Sequence, residues 1–388
     1  MNETQLHSRL GTISAADREW SICILKKLVE INSSSHNETG LSAVCTLLKN
    51  TLENFGLTVL TINLKKGIAL TASSGHGSNH ILCVGHYDTV HQENSAFSKF
   101  IVDGDTARGP GVLDMKGGIT VLLSALRILS EQKVLLDLPL TVFLNPDEEI
   151  GTIYSKNALL QTAKSARSAL VFEWGREQEA VILRRKGIAV LDISAKGRQA
   201  HSGNAHQDGA NAIVALASFL TKACRITDYA AGVTLNVGKV EGGTSPTIVP
   251  DFAHAVVDVR FPETTLYTNV LIKLRTYAAE SAQEVAGTTI EIIENSVRPP
   301  MAGSDASKDL FARFSEAGRI LNIKSSVFPG IIGGGSDANY LSEAGIPTLD
   351  GMGPCGQGAH TNDEQINLPT FWRRVSQLAL FLYREGVK

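Results

Sequence analysis

Predominantly apolar runs of six residues alternate with helical stretches in the first half of the chain, and this alternation restricts the fold most strongly. The runs are HILCVG (80–85), LTVFLN (140–145) and ALVFEW (169–174). Between them, residues 115–131 carry an apolar stripe at helical spacing, and residues 151–164 predict another helix. Strands without polar alternation are typical of a sheet covered by helices on both faces. We therefore predict an α/β domain built on a doubly covered, mixed sheet.

The pattern changes near residue 185, where strands with period-two alternation replace the apolar runs. The element order over residues 185–298 is β-α-β-β-α-β, which is the ferredoxin-like arrangement. The predicted elements are strands 187–197, 232–243, 252–261 and 288–295 and helices 208–223 and 265–282. Residues 305–388 again show the alternation of strand and helix patterns found in the first half of the chain. We therefore predict one α/β domain formed by residues 1–184 and 299–388, interrupted by an inserted α+β domain of residues 185–298.

Charge and cysteine usage limit the classes of partner. The 36 Lys and Arg residues nearly balance the 39 Asp and Glu residues, so we expect neither nucleic acid nor a membrane surface as a partner. Five cysteines without a Cys-x-x-Cys pair predict neither a disulfide framework nor a thiolate zinc site. Cys23, Cys45 and Cys83 lie in apolar runs and are expected to be buried thiols. With no signal-peptide pattern at the N-terminus, the expected location is the cytoplasm, although an export signal removed beforehand stays open.

Acidic and histidine residues follow the predicted strands in turns marked by glycine or proline. They are His86, Asp88, Asp114, Glu148, Glu149, Glu173 and His360. In open α/β sheets, sites form at the carboxyl ends of the strands, so these side chains are expected to meet. Each one has an ordinary structural explanation when taken alone: a hydrogen-bonded pair, a solvated turn or a helix cap. Several of them at successive strand ends favour a functional site.

Converging carboxylates would repel one another and raise one another's pKa, and a bound cation removes that problem. Mixed imidazole and carboxylate ligands suit Zn²⁺, and also Mn²⁺ or Co²⁺. Asp88 lies two residues after His86, so it is placed to accept the second ring N–H of that histidine. Glu148 and Glu149 are adjacent and cannot bind a metal with the same geometry. One of them is expected to be a ligand and the other a general base.

Four motifs resemble those of the M20 metallopeptidases, a di-zinc family that includes carboxypeptidase G2, acetylornithine deacetylase, succinyl-diaminopimelate desuccinylase and aminoacylase-1. The motifs are Gly-His-Tyr-Asp-Thr-Val (85–90), Gly-Pro-Gly-Val-Leu-Asp-Met-Lys-Gly-Gly (109–118), Asp-Glu-Glu-Ile-Gly (147–151), and Gly-Gly-Gly-Ser-Asp-Ala-Asn (333–339) leading to Gly-Ala-His-Thr (358–361). The resemblance covers residues 20–385 and is closest to carboxypeptidase G2, a glutamate carboxypeptidase. It implies a zinc-exopeptidase-like catalytic domain with an inserted lid and dimerisation domain.

The resemblance also implies roles for individual residues. His86 and Glu173 would bind one zinc ion, Glu149 and His360 the other, and Asp114 would bridge the two. Glu148 would be the general base on the attacking water, and Asp88 would orient His86. A cis peptide bond would follow the bridging aspartate, here between Asp114 and Met115. Two Zn²⁺ ions per subunit are therefore expected, with Co²⁺ or Mn²⁺ as possible substitutes.

Four residues outside these strand-end turns are candidates for contact with the substrate. His201 resembles the family histidine that reaches across a dimer to stabilise an oxyanion, and Arg260 resembles the residue that binds a substrate carboxylate. Thr247 stands where carboxypeptidase G2-like members have asparagine, which weakens the expected carboxylate binding. Gly335 lies in a glycine-rich turn whose backbone N–H groups could complete the pocket.

The sequence thus predicts a metal-dependent hydrolase that cleaves an amide or peptide bond beside a free carboxylate. The first prediction is a carboxypeptidase that releases glutamate or a similar amino acid, and the alternative is an N-acyl-amino-acid deacylase. A non-catalytic binding homologue is a minor alternative, because a fold does not guarantee an activity. The expected partners are a small peptide or N-acyl amino acid and a second subunit bound through the lid domain.

Overall fold

The computed structural model describes residues 3–75, 77–93 and 95–386, and it divides into two compact units. Unit 1 comprises Met1–Leu183, Gly303–Gly330 and Ser336–Lys388, and unit 2 comprises Arg184–Ala302 and Ile331–Gly335. The helices are α1 Glu3–Leu10, α2 Ala15–Glu30, α3 Glu38–Asn54, α4 Gly117–Glu131, α5 Lys156–Ala163, α6 Ala212–Ala223, α7 Thr264–Glu284, α8 Asp305–Ile320, α9 Asp337–Glu343 and α10 Leu368–Gly386.

The strands range from two to ten residues in length. They are β1 Thr58–Asn63, β2 Ile68–Ser73, β3 His80–His86, β4 Ile101–Asp103, β5 Thr106–Arg108, β6 Leu140–Asn145, β7 Ala166–Val171, β8 Ala180–Val181, β9 Gly187–Lys196, β10 Thr234–Gly242, β11 Phe252–Phe261, β12 Thr289–Arg298, β13 Ser326–Val327, β14 Thr348–Leu349, β15 Gly356–Gln357 and β16 Gln365–Asn367.

A mixed sheet forms the centre of unit 1. Over the described residues its strand order is β1-β2-β6-β3-β7-β14, and the four strands from β6 to β14 run parallel. Every residue of β3 and β6 is buried, as expected for strands covered on both faces. The helix α4 packs against α2 and α10 and buries most of its own residues. This arrangement confirms the predicted doubly covered α/β fold.

Local sequence signals explain where several helices begin. Ser14, Asn37 and Ser304 each accept a backbone N–H from the first turn of α2, α3 and α8, respectively. Ser336 and Asn339 form a capping box at the start of α9, which satisfies two backbone donors that the helix cannot satisfy itself. Cys45 and Cys83 are buried, but the prediction for Cys23 was wrong: its position on α2 faces solvent.

Unit 2 is an antiparallel sheet with two helices. The chain runs β9-α6-β10-β11-α7-β12, and within the described residues the strand order is β10-β11-β9-β12. Ala189, Leu191 and Ile193 of β9 alternate with less buried residues and face a core that includes Phe219 and Leu274. This is the ferredoxin-like arrangement that the sequence predicts.

The unit boundaries differ in detail from the predicted domain boundaries. The sequence assigns residues 299–302 and 331–335 to the α/β domain, whereas their backbone contacts group them with unit 2. Arg185 and Met301, for example, exchange two backbone hydrogen bonds of 3.1 and 3.0 Å. Such pairing between distant segments has no local signal in the sequence. Among the helices of the described residues, none combines the length and the apolar character that crossing a bilayer requires.

Candidate metal centre

Neighbouring parallel strands of unit 1 deliver acidic and histidine side chains to one edge of the sheet. His86 is the last residue of β3, and Asn145 of β6 is its register partner. Glu148 and Glu149 lie in the turn after β6, and Glu173 lies two residues after β7. Because β6, β3 and β7 are adjacent in the sheet, the turns that follow them meet at its carboxyl edge.

Asp114 approaches this edge from an irregular turn that precedes α4. The glycines at 109 and 111 have φ angles of 154° and 72°, which side-chain-bearing residues rarely adopt. A Cβ atom at Gly111 would lie 2.5 Å from the Thr89 methyl group, so the close approach also requires glycine. The peptide bond between Asp114 and Met115 is cis, as the family resemblance implies.

Each oxygen of Asp114 faces one imidazole. His86 Nε2 lies 3.1 Å from Asp114 Oδ1, and His360 Nε2 lies 3.1 Å from Asp114 Oδ2. A second carboxylate lies beside each histidine: Glu173 Oε1 is 3.7 Å from His86 Nε2, and Glu149 Oε2 is 3.3 Å from His360 Nε2. The centre therefore consists of two similar halves that share Asp114.

These separations fit divalent ions between the side chains. Around a tetrahedral zinc ion with bonds of about 2.0–2.2 Å, neighbouring ligand atoms lie about 3.3–3.6 Å apart. Two groups of side chains bring their ligand atoms within 4.8 Å of one another: His86 with Asp114 and Glu149, and His86 with Glu148 and Glu173. Within the described part of the chain, the buried Oε1 of Glu149 has no hydrogen-bond partner. An uncompensated buried carboxylate oxygen is unfavourable, and a cation would compensate it.

The pKa values show that the centre attracts positive charge. The hydrogen bonds with Asp114 and Glu149 raise the pKa of His360 to about 10. Burial would lower the pKa of His86, but the hydrogen bonds with Asp114 and Asp88 raise it well above its usual value. Burial and the charge of Asp114 raise the pKa of Glu149 to about 7. In the metal-free protein, protons thus balance the carboxylates, and metal ions would have to displace them.

Asp88 connects the two loops of the centre. Its Oδ1 accepts the backbone N–H of Glu148 at 3.1 Å, and its Oδ2 accepts the N–H of Glu149 at 3.1 Å and the hydroxyl of Ser35 at 2.8 Å. His86 Nδ1 lies 3.1 Å from the backbone carbonyl of Asp88 and 3.3 Å from its Oδ1. The ring is therefore held by both the carbonyl and the carboxylate, whereas sequence spacing predicts the carboxylate alone.

His201 and Thr247 lie together in unit 2. The Ser202 N–H donates to the Thr247 carbonyl at 3.0 Å. His201 is exposed, and its Nδ1 accepts the backbone N–H groups of Gly203 and Asn204, both at 3.1 Å. Because Nδ1 is an acceptor, the neutral ring carries its hydrogen on Nε2. The Thr247 hydroxyl bonds to Ser245 at 2.9 Å.

Arg260 lies beside the glycine-rich turn, also within unit 2. Its Nε donates to Asp258 Oδ1 at 2.7 Å, and a terminal nitrogen donates to the Gly333 carbonyl at 3.2 Å. A Cβ atom at Gly335 would lie 2.8 Å from the side chains of both Arg298 and Ile188. The glycine therefore allows the turn to approach these side chains closely.

Sequence reasoning missed two buried residues of the centre and misplaced one strand. Ser35 bonds to Asp88, and Glu364 bonds to the backbone of the turn that carries Asp114. Neither residue has a local signal in the sequence, because each is a single polar side chain in a loop. The sequence places Glu173 inside a strand of residues 169–174, but β7 is Ala166–Val171 because its register with β3 begins at Ala166.

Proteins with similar sequences include a carboxypeptidase and an aminoacylase. The sequence profile of peptidase family M20/M25/M40 matches residues 82–384. Carboxypeptidase G2 of Pseudomonas sp. (strain RS-16) is 29% identical over 374 residues, which cover 93% of this chain and 88% of that protein. Aminoacylase-1A of Rattus norvegicus is 22% identical, with 92% of each chain covered.

Solved structures share the fold over nearly the whole chain. Aminopeptidase PepT of Bacillus cereus has a TM-score of 0.78 at 22% identity and covers 96% of this chain and 99% of its own. The YXEP protein of Bacillus subtilis, described as a dinuclear metal-binding peptidase of the M20 family, has a TM-score of 0.70 at 17% identity, covering 96% and 99%. Since the family profile matches most of the sequence, the chain belongs to peptidase family M20/M25/M40.

Proposed function

We propose that the protein is a metal-dependent hydrolase that cleaves an amide or peptide bond next to a free carboxylate. The observation that carries this proposal is the paired arrangement of His86 and His360 on the two oxygens of Asp114, both at 3.1 Å. Glu173 and Glu149 complete the two halves as the remaining ligands. Two Zn²⁺ ions are the proposed occupants, with Co²⁺ or Mn²⁺ as substitutes.

Bound divalent ions would lower the pKa of a water molecule and polarise the substrate carbonyl. Glu148 is the proposed general base: its buried carboxylate lies within 4.8 Å of ligand atoms of His86 and Glu173, and its half of the centre already has ligands in His86, Asp114 and Glu173. Its carboxylate accepts a proton from the attacking water and returns it to the leaving amine nitrogen. Asp88 holds the backbone of Glu148 and the ring of His86, so it fixes base and ligand together.

His201 and Arg260 are the proposed contacts with the substrate. The Nε2–H of His201 is available to donate to the developing oxyanion, in our proposal from the neighbouring subunit of a homodimer formed through the lid domain. Asp258 and the Gly333 carbonyl fix the guanidinium of Arg260, which suits it to bind a carboxylate. Thr247 and Gly335 are proposed to line the subsite in which Arg260 binds the substrate carboxylate.

The first proposed activity is a carboxypeptidase that releases glutamate or a similar amino acid, and the similarity to carboxypeptidase G2 over 93% of the chain supports it. An N-acyl-amino-acid deacylase is the second candidate, because aminoacylase-1A is similar over 92% of the chain. Zinc-loaded protein should be assayed with folyl-glutamate or dipeptidyl-glutamate beside N-acetyl amino acids. Faster turnover of the N-acetyl amino acids would favour the deacylase over the carboxypeptidase.

Glu148→Gln tests the chemistry itself. The substitution removes the base but keeps the shape of the side chain, so we expect turnover to fall about 10²–10⁴-fold while the zinc content stays at the wild-type level. Glu19→Gln, the same change on the exposed surface of α2, is the matched control and should leave both unchanged. Near-normal turnover of Glu148→Gln would rule out the base assignment.

A further inference from the structure

The carboxylate of Glu364 is fully buried against the turn that carries Asp114. Its side chain is 0% exposed. One oxygen, Oε2, accepts the backbone N–H of Gly111 at 2.8 Å, and the other, Oε1, accepts those of Leu113 at 2.8 Å and Asp114 at 2.9 Å. Both oxygens of this side chain are thus occupied by backbone donors from a segment about 250 residues away in sequence.

The turn needs such an acceptor because its backbone is irregular. Gly109 and Gly111 have positive φ angles, and Asp114 has a non-helical φ of −116°. The backbone N–H groups of the turn therefore cannot all find partners in a regular helix, and buried N–H groups without partners are strongly unfavourable. Glu364 accepts three of them, including the N–H of Asp114 itself. The placement of Asp114 depends on this carboxylate.

The same short segment also supplies a candidate ligand. His360 precedes Glu364 by four residues, and its Nε2 lies 3.1 Å from Asp114 Oδ2. The segment 360–364 therefore holds Asp114 from two directions: Glu364 binds its backbone, and His360 faces its carboxylate. The loop between β15 and β16 thus contacts both the backbone and the carboxylate of Asp114.

His91 adds a fourth donor to the Glu364 carboxylate, at the oxygen that also accepts the backbone N–H of Gly111. Its Nε2 lies 2.6 Å from Glu364 Oε2, and since the carboxylate is the acceptor, the ring nitrogen donates. The His91 ring also packs against Phe97, with ring centroids 5.5 Å apart. The carboxylate thus has four donors, and its rotation is restricted.

We propose that Glu364 is a positioning residue that holds Asp114 in the geometry needed to bind two ions. It acts on metal affinity and on the geometry of the ions, and it does not contact the substrate. The inference rests on the proposed metal-dependent function, since it assigns Glu364 a role toward the ligand shared by both halves of the centre. Partners of metal ligands commonly change metal affinity or activity 10–100-fold when substituted.

Glu364→Gln is the main test. The amide replaces one acceptor oxygen by a donor, so either Gly111 or the Leu113 and Asp114 pair faces an N–H group instead of an oxygen. We expect zinc affinity, measured by competition with a chromogenic chelator, to fall about 10–100-fold. The visible spectrum of the cobalt-loaded variant should change, and at saturating metal kcat should fall while KM stays near the wild-type value.

Metal-free protein gives an independent measurement. Hydrogen–deuterium exchange should be faster in the peptide covering residues 111–114 of Glu364→Gln. Glu364→Asp keeps both oxygens and should recover part of the zinc affinity. If the glutamine variant does not fold, Glu364→Asp and His91→Phe decide the question, because His91→Phe removes one donor and keeps a ring beside Phe97. Both should show weaker zinc binding than the wild type.

Asp17→Asn is the matched control for a loss of general stability. Asp17 is another buried carboxylate of unit 1, but it lies in the first turn of α2 and bonds to the N-cap residue Ser14 and to Arg9. This variant should be destabilised yet retain wild-type zinc affinity and cobalt spectrum. Wild-type affinity and spectrum in the Glu364 variants would overturn the inference and leave the proposed function intact. Failure of the wild-type protein to bind any divalent metal would overturn both.

Discussion

Asp88→Asn tests whether one carboxylate organises both loops of the centre. In the wild type, Asp88 accepts the N–H groups of Glu148 and Glu149, both at 3.1 Å, and the hydroxyl of Ser35 at 2.8 Å. Asparagine has one acceptor oxygen and one NH₂ group where aspartate has two acceptor oxygens. Whichever way the amide is turned, its N–H₂ group faces the backbone N–H of Glu148 or of Glu149.

At least one buried backbone donor therefore loses its acceptor. Leaving a buried donor unsatisfied costs about 1–3 kcal/mol, so the free energy of unfolding of the metal-free protein should fall by that amount. The ring of His86 also loses a charged neighbour at 3.3 Å. Because such partners orient metal-binding histidines, zinc affinity and kcat/KM should fall about 10–100-fold.

Ser35→Ala is the matched control for this experiment. It removes one donor but leaves no buried donor without an acceptor, so its expected effect on unfolding is smaller, about 0.5–1.5 kcal/mol. Urea unfolding followed by circular dichroism measures the stability, and chelator competition measures the zinc affinity. Wild-type stability together with wild-type zinc affinity in Asp88→Asn would refute the reasoning.

Two further predictions concern residues of different units. The ring nitrogens of buried His80 have no partner among the described residues, and burial, followed by the charge of Arg167, lowers the pKa of this histidine. The unfolded chain then takes up a proton near pH 6.5 while the folded protein does not, so the free energy of unfolding should fall as the pH drops below that value. His80→Leu should therefore lose less free energy of unfolding between pH 7 and pH 5 than the wild type. If urea unfolding shows the same pH dependence for both proteins, the prediction is contradicted. The proposed homodimer makes the second prediction. His201→Ala should be inactive alone but should recover about a quarter of the wild-type activity after subunit exchange with Asp114→Asn, because half of the proposed dimers are then mixed and each mixed dimer has one intact site. No recovery would argue against a site completed by the partner.

Continuous patterns made much of the fold predictable from the sequence. The apolar run of β6 and the period-two alternation of β11 gave strands with the observed bounds, Leu140–Asn145 and Phe252–Phe261. The apolar stripe of residues 115–131 likewise predicted the helix α4, which spans Gly117–Glu131. In these elements the burial pattern extends over several residues, so local sequence is sufficient to locate them.

Short elements and long-range contacts were not predictable in this way. The strands β5 and β16 are three residues each and pair across more than 250 residues of sequence. The helix predicted at 151–164 begins only at Lys156, because Asp147 accepts the N–H groups of Tyr154 at 2.6 Å and Ser155 at 3.1 Å and holds a turn there. Such features depend on side chains that the periodicity does not reveal.

The strand-end side chains of the candidate site could be located because parallel strands bring their carboxyl ends together. His86, Glu149 and Glu173 reach the site in this way. Asp114 reaches it from the turn before α4, and His360 reaches it from the loop between β15 and β16. The residues that hold them, such as Ser35 and Glu364, could not be found from local pattern. Each is a single polar residue in a loop, and its role depends on a partner far away in sequence.

The most direct test of the proposed di-metal centre is anomalous diffraction at the zinc edge from crystals of zinc-loaded protein. We predict two peaks beside Asp114, one also contacted by His86 and Glu173 and the other by Glu149 and His360. Crystals of intact protein with no anomalous peak within bonding distance of these side chains would contradict the account.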